Sequence, residues 1–183
     1  VLDSKDRNRE RNTAPNNFTI EFSPASSDQN APSNGYVQRG FGNVSDISIS
    51  DVIILDTSGY SDSSDSSGAN YPYLLLNFDE INGDNYGTND NLNKSFVILK
   101  NYVTKGSYKY YNLMGSDGSE LMKKKFNPRT NLTRLTTNIL LPDGTDFDFG
   151  STATSTANTV VTIMMKVKTI QKNLATQFIN KAS

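Results

Sequence analysis

The chain has 183 residues, enough for one domain with a sizeable core, and it contains no His, Cys or Trp. Without His there is no Ser-His-Asp or imidazole–metal chemistry; without Cys there is no disulfide, thiolate nucleophile, zinc finger or iron–sulfur site. Charged residues are 20% of the chain with a formal net charge of -1, too sparse and too balanced overall for a protein that works mainly by gripping phosphate backbones.

Asn, Ser and Thr, with 22, 21 and 17 residues, make up about a third of the chain, and only 4 of the 19 acidic residues are Glu. That composition favours strands joined by long polar loops over helices. No run approaches the length of a transmembrane helix and no signal-peptide pattern is present. The first residue is Val1 and not Met, which is the start expected of a chain that has lost an upstream piece.

Residues 1–17 mix four basic with three acidic side chains and carry little that is apolar after Leu2, so they are expected to form an extended arm outside the core. Phe18, Ile20 and Phe22 alternate with Thr19 and Glu21 and predict the first strand. Residues 23–43 read as a loop. Residues 44–55 alternate through Ile47 and Ile49, then slip phase at Asp51 and Val52, as a β-bulge would make them. The Ser/Asp tract at 60–69 reads as an exposed tip, and Leu74, Leu75, Leu76 and Phe78 as a buried strand.

After a loop of Asn, Gly and Asp at 79–93, Phe96 to Leu99 predicts a strand, and Val103 with Tyr108, Tyr110 and Tyr111 another. The turn at Gly115 to Gly118 leads into residues 121–126, and Asn127-Pro128 is expected to end that element. Leu135, Thr137, Ile139 and Leu141 alternate up to the turn Pro142-Asp143-Gly144, beyond which Phe147 and Phe149 continue the pattern. Val161, Ile163, Met165 and Val167 face one way on the last strand, and Ile170, Leu174 and Phe178 in the tail fall at helical spacing. The expected architecture is all-β, an eight-stranded sandwich of two antiparallel sheets over residues 18–169, with a tail at 170–183.

Three groups of side chains carry chemistry by residue type. Asp143, Asp146 and Asp148 surround one turn and Asp79, Glu80 and Asp84 crowd one loop, but their Gly, Asn and Ser neighbours point to turn-making and not to the apolar walls that raise a catalytic pKa. Calcium is disfavoured in 79–85 because Ile81 stands where the EF-hand pattern needs a ligand, and Asp62 and Asp65 read as a solvated tip. Lys123, Lys124 and Lys125 cannot form one patch on a regular strand, since neighbours point to opposite faces, and read best as guards of an open sheet edge. Tyr108, Tyr110 and Tyr111 suit a sheet or subunit interface, or the stacking of sugars. The sequons at Asn17, Asn43, Asn93 and Asn131 are expected by chance at this composition. No catalytic, cofactor or metal-binding residue is expected, and no enzyme activity.

The order of motifs adds to this. Asp3 to Asn8 leading into Asn17-Phe18-Thr19-Ile20, then Tyr73 to Phe78, Pro128-Arg129 with Leu132 and Leu135, and Leu141 to Gly144 running into Phe147-Asp148-Phe149-Gly150 occur in that sequence. Together they resemble the single jelly-roll penton and minor capsid proteins of virophages, polinton-like viruses and nucleocytoplasmic large DNA viruses. The resemblance spans Asp3 to about Thr169. It implies an eight-stranded jelly roll in the virion, most simply a penton subunit forming a pentamer at a fivefold vertex. It would contact neighbouring major and minor capsid proteins, have no active site and recognise no specific nucleic acid. The alternatives are a jelly-roll minor capsid protein, or a carbohydrate-binding jelly-roll module meeting host glycans through the Tyr cluster, and each lacks a transmembrane segment.

Overall fold

A computed structural model describes residues 1–10, 12–22, 35–37, 39–55, 72–81, 83, 85–119, 122–147, 149 and 160–170. The acidic tract at 60–69, the side chains of Asp84 and Asp148, and the tail beyond Ile170 lie outside them. The described residues form two sheets packed on one apolar core, so the chain is an all-β sandwich.

The first sheet contains β1 (Leu2–Asp3), β4 (Phe41–Leu55), β7 (Tyr102–Lys105), β8 (Tyr108–Asn112), β9 (Met122–Leu132) and β11 (Val161–Thr169). Its order is β1-β11-β4-β8-β7, with β9 also on β4. The second contains β2 (Asn17–Phe22), β3 (Gly35–Val37), β5 (Leu74–Phe78), β6 (Val97–Leu99) and β10 (Arg134–Leu140), in the order β3-β2-β10-β5-β6. All pairings are antiparallel except β2 with β3. Six strands in one sheet and five in the other exceed the eight expected.

The period-two pattern of the sequence becomes the two inner faces. Phe18, Ile20 and Phe22 of β2, Leu135, Thr137 and Ile139 of β10, and Ile47, Ile49, Val52 and Ile54 of β4 are all buried. The expected phase slip on β4 is present: Met164 pairs with Asp51 while the next residue, Met165, pairs with Ile49, so Ser50 is the extra residue of a bulge. Because of it, Ile47 and Ile49 before the bulge and Val52 and Ile54 after it enter the same core.

Four expectations change. The arm is partly built into the fold: Leu2 is only 3% exposed and pairs with Ile163, because a single leucine at the open edge of β11 finds apolar surface there. Ser4 is fully buried, and its Oγ accepts the backbone N–H groups of Val160 and Val161 at 3.1 and 2.9 Å. Arg7 is buried too and donates to the carbonyls of Ser4 and Asn12 at 2.8 and 3.0 Å. The loop 23–43 contains β3 and the start of β4. The single strand expected from Val103 to Tyr111 is a hairpin, β7 and β8, turning at Gly106 and Ser107 with Gly106 at φ 60°, a conformation that glycine adopts without a Cβ clash. Asn127-Pro128 does not end β9, which runs to Leu132; Lys125 pairs with Asp46 and Thr130 with Val44, so the prolyl residue sits in an irregular stretch where no ladder N–H is needed.

A short helix, α1 (Asp90–Lys94), also stands in the 79–93 loop, where none was expected. Asn89 caps it by accepting the N–H of Asn91 at 2.7 Å, and donates its own amide to the carbonyl of Pro142 at 2.9 Å. The Asn-rich loop is thus tied to the β10 turn by side-chain amides.

Candidate interaction surface

Of the carboxylates expected to make turns, Asp79, Glu80 and Asp143 hold local structure through their side chains. Glu80 follows β5 and reaches across to β10: its Oε2 accepts the N–H of Thr136 at 2.7 Å, and its Oε1 accepts the Thr136 hydroxyl and the Arg134 Nε at 3.0 Å each. Asp79 accepts the amide of Asn138 at 2.7 Å. Asp143 accepts both the N–H and the hydroxyl of Thr145, at 2.9 and 2.7 Å, which closes the turn after β10. Asp146 bridges back to Leu140. The Glu80, Asp79 and Asp143 carboxylates are each occupied by a hydrogen-bonding role, and the described residues bring together no group of three or more acidic side chains that would hold a metal ion.

The tyrosines separate. Tyr111 is buried and enters the core, its ring tilted at 55° to that of Tyr102, with centroids 5.6 Å apart. Tyr102 and Val103 on β7 remain 49% and 60% exposed at the open end of the first sheet. Lysines cover the rings of this hairpin: Lys109 Nζ lies 4.7 Å from the Tyr102 centroid and Lys105 Nζ 5.4 Å from that of Tyr110. At another margin of the sandwich, an apolar cavity of about 120 Å³ is lined by Leu2, Phe22, Val37, Phe41, Met165 and Val167, with Val1 at its mouth.

The lysines gather in a way that sequence spacing did not show. β9 pairs with β4 alone and is an edge among the described strands. Lys125 lies opposite Asp46 and Lys123 opposite Ser48, while on the other side of β4 Lys168 lies opposite Asp46 and Lys166 opposite Ser48. Directly paired residues point to the same face, so Lys123, Lys125, Lys166 and Lys168 share the outer face of the first sheet, and Lys124 turns away. All four are exposed. Asp46 stands between them, with Oδ1 3.3 Å from Lys123 Nζ and Oδ2 accepting the Ser45 hydroxyl at 2.8 Å. Burial pushes its carboxyl pKa up, but the Ser45 hydrogen bond and the ammonium groups of Lys123 and Lys168 outweigh that and hold it below the usual carboxylate range.

No family model and no curated protein matches this chain. No helix among the described residues is long and apolar enough to cross a membrane.

Proposed function

We propose that this protein is a structural subunit of a virus capsid, a jelly-roll penton protein that assembles as a pentamer at icosahedral fivefold vertices. The observation that carries the reading is where the resembling motifs fall. Asn17 to Ile20 lie on β2, Leu74 to Phe78 on β5, Leu135 on β10, and Leu141 to Gly144 in the turn after it, all within a two-sheet sandwich. A shell protein acts through its surfaces, and in a ring each subunit offers two different patches to its neighbours. Tyr102 and Val103 on the open edge β7 supply apolar surface of the kind such a contact needs. Neighbouring major and minor capsid proteins would meet the remaining edges.

The test is fractionation of purified virions with electron microscopy of the vertices. Recovery of the protein in virions as five-membered rings is expected. Its absence from virions, or a monomer where vertices assemble, overturns the reading. The carbohydrate-binding alternative is favoured by the exposed rings of Tyr86 and Tyr102, and a glycan array without hits removes it.

A further inference from the structure

The apolar cavity lies where the margins of the two sheets meet, β1 and β11 on one side and β3 and β2 on the other. Its lining of Leu2, Phe22, Val37, Phe41, Met165 and Val167 is apolar throughout, and Val37, Phe41, Met165 and Val167 are only partly buried. Phe41 stands edge-on to Phe22, with centroids 5.2 Å apart, and the Arg39 guanidinium lies 5.6 Å from the Phe41 ring. Apolar surface left open to water is unfavourable, and one more apolar side chain would cover it. A volume of about 120 Å³ is close to the roughly 150 Å³ that takes up benzene in an apolar cavity, so the space suits one aromatic ring.

We propose that this cavity is the docking site of the chain's own C-terminal segment, residues 171–183, with the Phe178 ring inside it and Leu174 at its mouth. The fold fixes where that segment starts. Val167 of β11 lines the cavity, and three residues later the Ile170 N–H donates to the Asn43 carbonyl at 3.1 Å, two residues from Phe41. At about 3.3 Å per residue of strand, the segment begins about 10 Å from the lining. Phe178 lies eight residues beyond Ile170, a reach of about 12 Å as helix and about 26 Å extended, so either form brings it back to the cavity. Leu174 and Phe178 fall on one side of a helical pattern, among the polar Gln171, Lys172, Asn173, Thr176 and Gln177. The other long segments outside the described residues fit less well. Residues 23–34, between Phe22 and Val37, hold nothing apolar larger than Pro, while 56–71 and 150–159 join β4 and β11 at the ends away from the cavity. A short tether gives the chain's own segment a millimolar effective concentration, which favours it over the same segment of a second copy. The inference does not depend on the capsid reading.

The chain has no Trp and no Cys, so single probes can be placed in the full chain without background. Phe178→Trp supplies its only tryptophan. The emission is expected to be blue-shifted and shielded from acrylamide, whereas the control Lys181→Trp should emit as a solvent-exposed indole does. Adding Val37→Asp, which sets a carboxylate in the apolar cavity, should return the Phe178→Trp emission to that of the control. A second measurement leaves the cavity lining and Phe178 intact. The pair Val1→Cys, Leu174→Cys at the mouth should form a disulfide within one chain at least about tenfold faster than Val103→Cys, Leu174→Cys, because Val103 stands at the opposite margin of the first sheet. A solvent-exposed tryptophan at 178, a shielded one that Val37→Asp does not release, or equal rates for the two cysteine pairs overturns the proposal. So does a disulfide that forms only between chains, since it assigns the cavity to a second copy. Should Val37→Asp unfold the chain, the cysteine pairs decide.

Discussion

Thr137 has a fully buried side chain whose Oγ1 finds no hydrogen-bond partner among the described residues. A buried hydroxyl without a partner carries a desolvation cost, and valine fills nearly the same space without it. Thr137→Val is therefore expected to stabilise the fold by about 1 kcal/mol, read as a higher urea midpoint with the same m-value. Asp46 gives the opposite sign and a pH dependence. Its folded-state pKa is lowered, so its contribution is fully present above the unfolded carboxylate value and is lost as pH falls through the lower folded value. Asp46→Asn should cost about 1 kcal/mol at neutral pH, and the gap to the wild type should close as the pH is taken well below 3.8, the ordinary Asp value. A gap that persists in acid would show that packing, and not charge, holds Asp46 in place.

Among elements, β4 makes the sharpest claim. Ser50 is the surplus residue between two stretches that both face inward, so deleting it joins them into one regular strand with Ile47, Ile49, Val52 and Ile54 still buried. Deleting Ser48 instead makes Ile47 and Ile49 neighbours and forces one of them outward. The first deletion should cost about 1 kcal/mol and the second at least about 3 kcal/mol, measured by denaturant unfolding. This bulge was legible because alternation has a period of two, and a single slipped residue shows in the apolar pattern. The hairpin of β7 and β8 was not, since Gly106-Ser107 is a weak turn signal inside a run of Tyr and Val. Nor was α1, which rests on an Asn89 N-cap and a Ser95 C-cap and has no buried face for periodicity to reveal. The lysine quartet lay beyond sequence reading for a different reason. Adjacent lysines alternate faces, and only the register of β9 and β11 on β4 brings Lys166 and Lys168 beside Lys123 and Lys125.

At the scale of the molecule, the first ten residues close the sandwich. Leu2 covers apolar surface at the edge of β11, and Ser4 satisfies two backbone donors at the start of that strand. Removing residues 1–10 is expected to cost about 3 kcal/mol, visible as a lower denaturant midpoint, where loss of a detached arm would leave the midpoint unchanged. Gly35 tightens the same corner: a Cβ there would run into the Asp6 carbonyl, so Gly35→Ala should lower stability by a similar route.

β4 is flanked by β11 from Val44 to Ile54 on one side, and by β9 and then β8 on the other. Its partner β11 is the last of the described strands and lies far along the chain from it, so the long central strand of the first sheet waits for a distant segment before its ladder can close. Closing so large a loop is entropically slow, and topologies dominated by distant pairings fold on the millisecond-to-second scale. During synthesis, β4 would carry an unpaired edge rich in Ile and Val until β11 emerges. That makes the order in which the chain is made, as well as its final contacts, a determinant of whether it folds or aggregates.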